Sequence, residues 1–161
     1  MVPPADVRLR RATFEDAGAI AEVFIASFGS LTFLPRLHTD DEHRAFIANV
    51  VLPQQEVVVA EDEAGIAGFI AMAHGDLIEH LYVRPDRQRR GIGTALLDEA
   101  KARMPGGFRL WVFQQNDQAR RFYERNRLAV LELTDGSGNE EKTPDALYGW
   151  TGGGTSSPPP R

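Results

Sequence analysis

The chain has 161 residues, 42% of them hydrophobic and 25% charged, with a net charge of −5 and no cysteine. That is one domain's length with apolar content for its own core, and it excludes disulfides, thiolate metal sites and a cysteine nucleophile. The charge is unevenly placed: positions 84–127 hold eleven Lys/Arg against five Asp/Glu, a net +6 that leaves −11 on the rest, which suits a compact polyanionic ligand and a cationic second ligand better than nucleic acid.

The first residues, MVPPADVRLRR, contain no apolar stretch of signal-peptide length, and the longest apolar runs (57–60 and 69–73) are too short to cross a bilayer. A cytoplasmic protein with no membrane partner is the expectation. The histidines His38, His43, His74 and His80 show no HExxH or i,i+4 pairing, so no metal site is expected.

In chain order, residues 7–13 alternate as a strand, and Thr13 with Asp16 forms a box-like helix start. Ile20, Val23, Phe24 and Phe28 recur at helical spacing. A second box, Thr39 with Glu42, opens another helix whose buried stripe is Phe46, Ile47, Val50 and Val51, and Pro53 is expected to end it. Residues 56–62, 66–73 and 77–83 read as a three-stranded meander. The loop RPDRQRRGIG then opens a helix carrying Ile92, Leu96 and Ala100 on one face, stopped by Pro105-Gly106-Gly107. Residues 109–113 form a strand expected to pair parallel with 77–83 through the crossover helix. Asn116 caps a helix over 117–126 that turns Ala119, Phe122 and Tyr123 inward. Two strands, 129–134 and 146–150, close the domain. The predicted order is β-α-α-β-β-β-α-β-α-β-β, a single α/β domain over residues 1–150, with the Gly/Ser/Pro-rich segment 151–161 expected to be disordered.

The loop after the meander carries the chemistry. A strand leading through a glycine turn into a helix N-terminus gathers unpaired N–H groups and a favourable dipole, which is an anion site. Gly91 and Gly93 remove side chains where a phosphate would approach, and Arg84, Arg87, Arg89 and Arg90 surround the turn. It is not a Walker loop, because Gly93 is followed by Thr94-Ala95, nor a Rossmann fingerprint, because Leu96 stands where the third glycine belongs.

Gln88-Arg89-Arg90-Gly91-Ile92-Gly93 resembles the Q/R-x-x-G-x-G/A signature of the GNAT (GCN5-related) N-acetyltransferases. WVFQQNDQARRFYER is similar to that family's second recognisable segment, and the likeness extends over nearly the whole chain. It implies a mixed sheet whose central strands splay apart at the cofactor site, and direct transfer of an acetyl group from acetyl-CoA to an amine. It places the diphosphate on the backbone of Gln88, Arg89, Arg90, Gly91, Ile92, Gly93 and Thr94. The pantetheine arm is expected along Leu81, Tyr82 and Val83, with Asn116 touching it. Tyr123 matches the tyrosine that protonates the departing thiolate. Glu79, a carboxylate interrupting an apolar strand beside the thioester, is the candidate base; a regular strand turns His80 to the other face, unless a bulge re-aims it. Arg127 stands where the family's helix-ending glycine is usual, so the left-handed residue is expected at Asn126 instead.

The clusters Asp40-Asp41-Glu42 and Glu140-Glu141 suit a cationic acceptor, either a small molecule or a peptide or protein amine; the acceptor itself and any homodimer stay open. The competing reading is a non-catalytic acyl-CoA-binding or regulatory module.

Overall fold

β-Branched and aromatic runs separated by glycine turns build the sheet, and the computed structural model describes residues 6–152 of it. In order the elements are β1 (Arg8–Arg11), α1 (Ala17–Gly29), α2 (Asp40–Phe46), α3 (Leu52–Gln54), β2 (Glu56–Asp62), β3 (Gly65–Met72), β4 (Leu77–Val83), α4 (Ile92–Arg103), β5 (Phe108–Phe113), α5 (Asp117–Arg125), β6 (Ala129–Leu133) and β7 (Asp145–Trp150). The sheet order is β1-β2-β3-β4-β5-β7-β6. Every neighbouring pair is antiparallel except β4–β5, which is parallel as expected.

The sheet separates two cores. On one side, Ile20, Val23 and Phe24 of α1, at i, i+3 and i+4, pack with Ile47 and Val51 over Val57, Val59 and Phe69. On the other, Ile92, Leu96, Leu97 and Ala100 of α4 cover Val58, Ile70, Leu110 and Tyr148. Residues 57–60 are all buried because β2 is covered on both faces. Burial of each such large side chain contributes roughly 1.5–3 kcal/mol, so the central strands are the stiffest platform available for a site.

Both expected capping boxes form. Thr13 N–H donates to Asp16 at 2.8 Å ahead of a 3₁₀ turn, and Thr39 N–H donates to Glu42 at 2.8 Å. Pro53 does not stop the second helix where the sequence suggested. The chain widens into a π turn over Ile47–Val51 and runs on through α3 to Gln54. The Leu52 N–H bonds to Ile47 O, five residues back, and this wider turn accommodates a residue with no N–H of its own. The expected tail falls mostly on residues 153–161, outside the described residues. Gly152 still belongs to the fold: a Cβ there would stand 2.7 Å from Pro105 O.

Candidate functional site

β4 and β5 are in register only at Leu77↔Arg109 and Ile78↔Leu110. Beyond those pairs the two parallel strands part, the splay that the resemblance implied. The Arg84 N–H to Ala67 O bond of 2.8 Å fixes which β4 residues face which neighbour. Ladder bonds alternate in an antiparallel pair, so Tyr82 and His80 direct their main chain toward β3, whereas Leu81 and Val83 direct theirs into the gap. The Val83 carbonyl accepts from Gln88 Nε2 at 3.2 Å and from Ser27 Oγ at 3.0 Å. Of the three residues expected to meet a cofactor arm, Leu81 and Val83 offer backbone and Tyr82 does not.

A bulge sets the side chains of the same strand. Met72 pairs with Ile78 and Ala71 with His80, which leaves Glu79 as the extra residue. Ile78, Leu81 and Val83 pack in the α4-side core, while His80 and Tyr82 join the α1 side. Glu79 is exposed. His80 lies among Phe24, Phe46 and Tyr82, with ring centroids 5.7–6.1 Å away, and burial lowers its pKa to about 4.

The helix start after β4 has the geometry an anion needs. Gly91 is the N-cap of α4 with φ 85°, and it supplies no side-chain cap. The first intrahelical bond is Ala95 N to Gly91 O at 3.0 Å, so the N–H groups of Ile92, Gly93 and Thr94 precede any backbone partner. α2 and α5, by contrast, close their first turns with Thr39 and Asn116 side chains. Two of the surrounding arginines are already paired, Arg84 with Asp86 at 3.2 Å and Arg87 with Asp62. Arg89 and Arg90 are exposed and have no ion pair among the described residues. Arg89 itself takes φ 66°. Gly93 carries a packing constraint that the sequence did not show: a Cβ there would meet the Phe122 ring at 3.2 Å.

α5 brings up the remaining candidates. Asn116 Oδ1 accepts from Ala119 N at 3.2 Å, which commits the oxygen to capping and leaves its Nδ2 over. Tyr123 is 7% exposed. Burial, and then the neighbouring Tyr82, raise its pKa, so it holds its proton throughout the neutral range. Its hydroxyl has no hydrogen-bond partner among the described residues, whereas Tyr148 engages both Arg120 Nε at 2.9 Å and Glu124 at 2.8 Å.

The end of α5 corrects the sequence reading. Arg127, not Asn126, adopts the left-handed conformation, with φ 74°. Leu128 N bonds back to Tyr123 O at 3.0 Å and Arg127 N to Glu124 O at 3.1 Å, a Schellman closure sealed by buried Leu128. Asn126 is held at φ −95° while its Nδ2 donates to Phe122 O at 2.9 Å and Lys101 Nζ takes its carbonyl at 2.8 Å. Arg127→Gly is expected to stabilise the protein by about 1 kcal/mol, roughly 2–4 °C in a thermal melt, since it relieves the left-handed strain. A lower melting temperature would contradict this.

On the α1 side of β4 the chain encloses a cavity of ≈ 570 Å³, lined by Phe24, Phe28, Phe46, His80 and Tyr82 below and by His38, His43, Glu140 and Glu141 nearer the rim. Periodicity assigned Phe24, Phe28 and Phe46 to buried stripes. Phe24 is buried and Phe28 packs against the same core as expected, while Phe46 is 36% exposed, and all three rings also line the cavity.

A parallel pair that opens ahead of an uncapped helix start leaves a strand edge and helix N–H groups without backbone partners. Residues 53–126, a little under half of the chain, match the family model described as acetyltransferase (GNAT) domain. The chain is 28% identical over 92 residues to the peptidyl-lysine N-acetyltransferase YiaC of Escherichia coli (strain K12), a match spanning 57% of this chain and 61% of that protein. The fold superimposes on the apo-form solution structure of YjaB from Escherichia coli with a TM-score of 0.75 and 22% identity, over 95% of this chain and 100% of that one. The PaiA N-acetyltransferase of Thermoplasma acidophilum, solved in complex with coenzyme A, gives a TM-score of 0.72 at 22% identity, over 90% and 98% of the two chains. Among the described residues no helix is long and apolar enough to cross a membrane.

Proposed function

We propose that this chain is an acetyl-CoA-dependent N-acetyltransferase that moves the acetyl group directly to an amine. The observation that carries the reading is the pairing of an opened β4–β5 edge with the uncapped start of α4. The N–H groups of Ile92, Gly93 and Thr94, with Arg89 and Arg90 beside them, would take the diphosphate, Gly91 permitting the turn. Leu81 and Val83 would pair with the pantetheine amides, and Asn116 Nδ2 is free to reach them. When bound, acetyl-CoA supplies a thioester carbonyl activated toward attack.

The chain's own groups handle the protons. Desolvation in the cavity, which brings His80 down to about 4, acts in the same direction on an entering ammonium and favours its neutral form. The amine lone pair forms the new C–N bond as the C–S bond breaks. The proton leaving nitrogen goes to Glu79, and the sulfur takes one from Tyr123; exchange with water restores both groups. A main-chain N–H near Leu81 is the donor for the developing oxyanion.

Thiol release from acetyl-CoA with an amine panel tests the reaction, and tight coenzyme A binding without turnover of any amine would favour the non-catalytic binding module. Glu79→Gln is expected to lower kcat about 100-fold with an unchanged melting temperature. The bulge gives one alternative substance: if Glu79→Gln turns over normally while His80→Gln does not, the proton goes to His80.

A further inference from the structure

The cavity has a polar end and an apolar end. Glu141 lies close enough to the Tyr82 hydroxyl to add to the burial that raises its pKa, and Tyr82 contributes in turn to Tyr123. Glu141 lines the same cavity as Tyr82. Its carboxylate has no hydrogen bond or ion pair among the described residues; of the other carboxylates in the acidic clusters, Asp40 is likewise unpaired but exposed, and the rest are engaged. Asp41 pairs with Arg44 at 2.7 Å, Glu42 caps Thr39, and Glu140 pairs with His38.

Away from Glu141 the walls are rings in mutual contact. Phe24 stacks on Phe28 at 5.4 Å and meets Tyr82 edge-on at 5.3 Å and His43 edge-on at 5.1 Å. Leu34 and Leu37 complete that end. Such a surface gains by covering an apolar or aromatic body.

Two segments are linked across the rim of the cavity. His38 Nε2 lies 2.6 Å from Glu140, and its Nδ1 lies 3.6 Å from Glu42. This joins the segment after α1 to the segment between β6 and β7. The second segment is rigid: Asn139 Nδ2 bonds Thr143 O at 2.7 Å and Asp145 at 3.1 Å, and a Cβ on Gly136 would fall 2.3 Å from the Thr143 backbone. An extended polypeptide needs an open channel about one strand spacing wide, roughly 4.8 Å, between such segments. The His38–Glu140 contact, with side chains 43% and 58% exposed, crosses the interval between these two segments.

We propose that the acceptor is a compact amine with an aromatic or branched apolar body, its ammonium held by Glu141 and its body by Phe24, Phe28 and Phe46, and that the His38–Glu140 bridge keeps peptides out. This rests on the acetyltransfer reading and names its substrate class, which differs from the peptidyl-lysine in the name of the curated relative. The test uses the full chain with 2-phenylethylamine, spermidine and a lysine-containing decapeptide. 2-Phenylethylamine is expected to have a kcat/KM at least tenfold above the other two. Glu141→Gln should raise its KM at least tenfold while coenzyme A affinity stays constant, and Glu140→Gln should increase turnover of the decapeptide. A decapeptide preferred by the unmodified chain, or an unchanged KM in Glu141→Gln, overturns the assignment. Calorimetric binding of 2-phenylethylamine separates the two layers of the argument. Binding that Glu141→Gln abolishes, without thiol release, upholds the pocket and removes the acetyltransfer reading; thiol release with the decapeptide alone does the reverse.

Discussion

Gly91→Asp is expected to weaken coenzyme A binding by roughly 10- to 100-fold. Two costs add. The position sits at φ 85°, where a residue with a Cβ is strained by about 1–2 kcal/mol, so the substituted loop relaxes away from that conformation when free and meets the cost on binding, and a carboxylate there opposes the phosphates at the helix start by about 0.3–1 kcal/mol; each 1.4 kcal/mol is a factor of ten in affinity. Gly91→Ala carries only the first cost and should fall between the two. Titration calorimetry with coenzyme A measures all three proteins. Equal affinities would remove the loop from the binding site, because neither strain nor charge could then be felt by the ligand.

Tyr123→Phe is expected to slow turnover by about 100-fold or more, the range for losing a positioned proton donor, with coenzyme A affinity nearly constant. A tyrosine kept for packing normally satisfies its hydroxyl, as Tyr148 does through Arg120 and Glu124. The Tyr123 hydroxyl has no such partner among the described residues, so its removal leaves no orphaned group and should change stability by less than about 0.5 kcal/mol. A drop in rate could not then be attributed to unfolding. Equal turnover in the two proteins would return Tyr123 to the core.

Much of the fold was legible because its signals are local. The Thr13–Asp16 and Thr39–Glu42 boxes are four-residue patterns, and both form. β4 begins and ends at Leu77 and Val83, as its apolar run between turn residues suggested. The parallel β4–β5 pair followed from one intervening helix and a chirality rule. What escaped depends on partners distant in sequence. Arg87 looked like a phosphate ligand until the fold brought up Asp62, and His38 meets Glu140 across 102 positions. Gly93 is constrained by Phe122, which lies on another helix. Arg127 takes the conformation expected of Asn126 because Lys101, from α4, and the Asn126 side chain already commit that residue. The cavity was invisible for a related reason: a phenylalanine facing a void and one facing a core have the same spacing.

β4 lies between two layers: Ile78, Leu81 and Val83 pack on the α4 side, and His80 and Tyr82 face the α1 side and its cavity. The bulge supplies a supernumerary position. Ile78 and His80 keep their partners Met72 and Ala71 whether or not Glu79 stands between them, so its side chain answers to neither layer. Residue 79 can therefore be exchanged for acid, amide or alcohol without repacking anything, and the proton chemistry of this scaffold is free to vary while its two interiors are not.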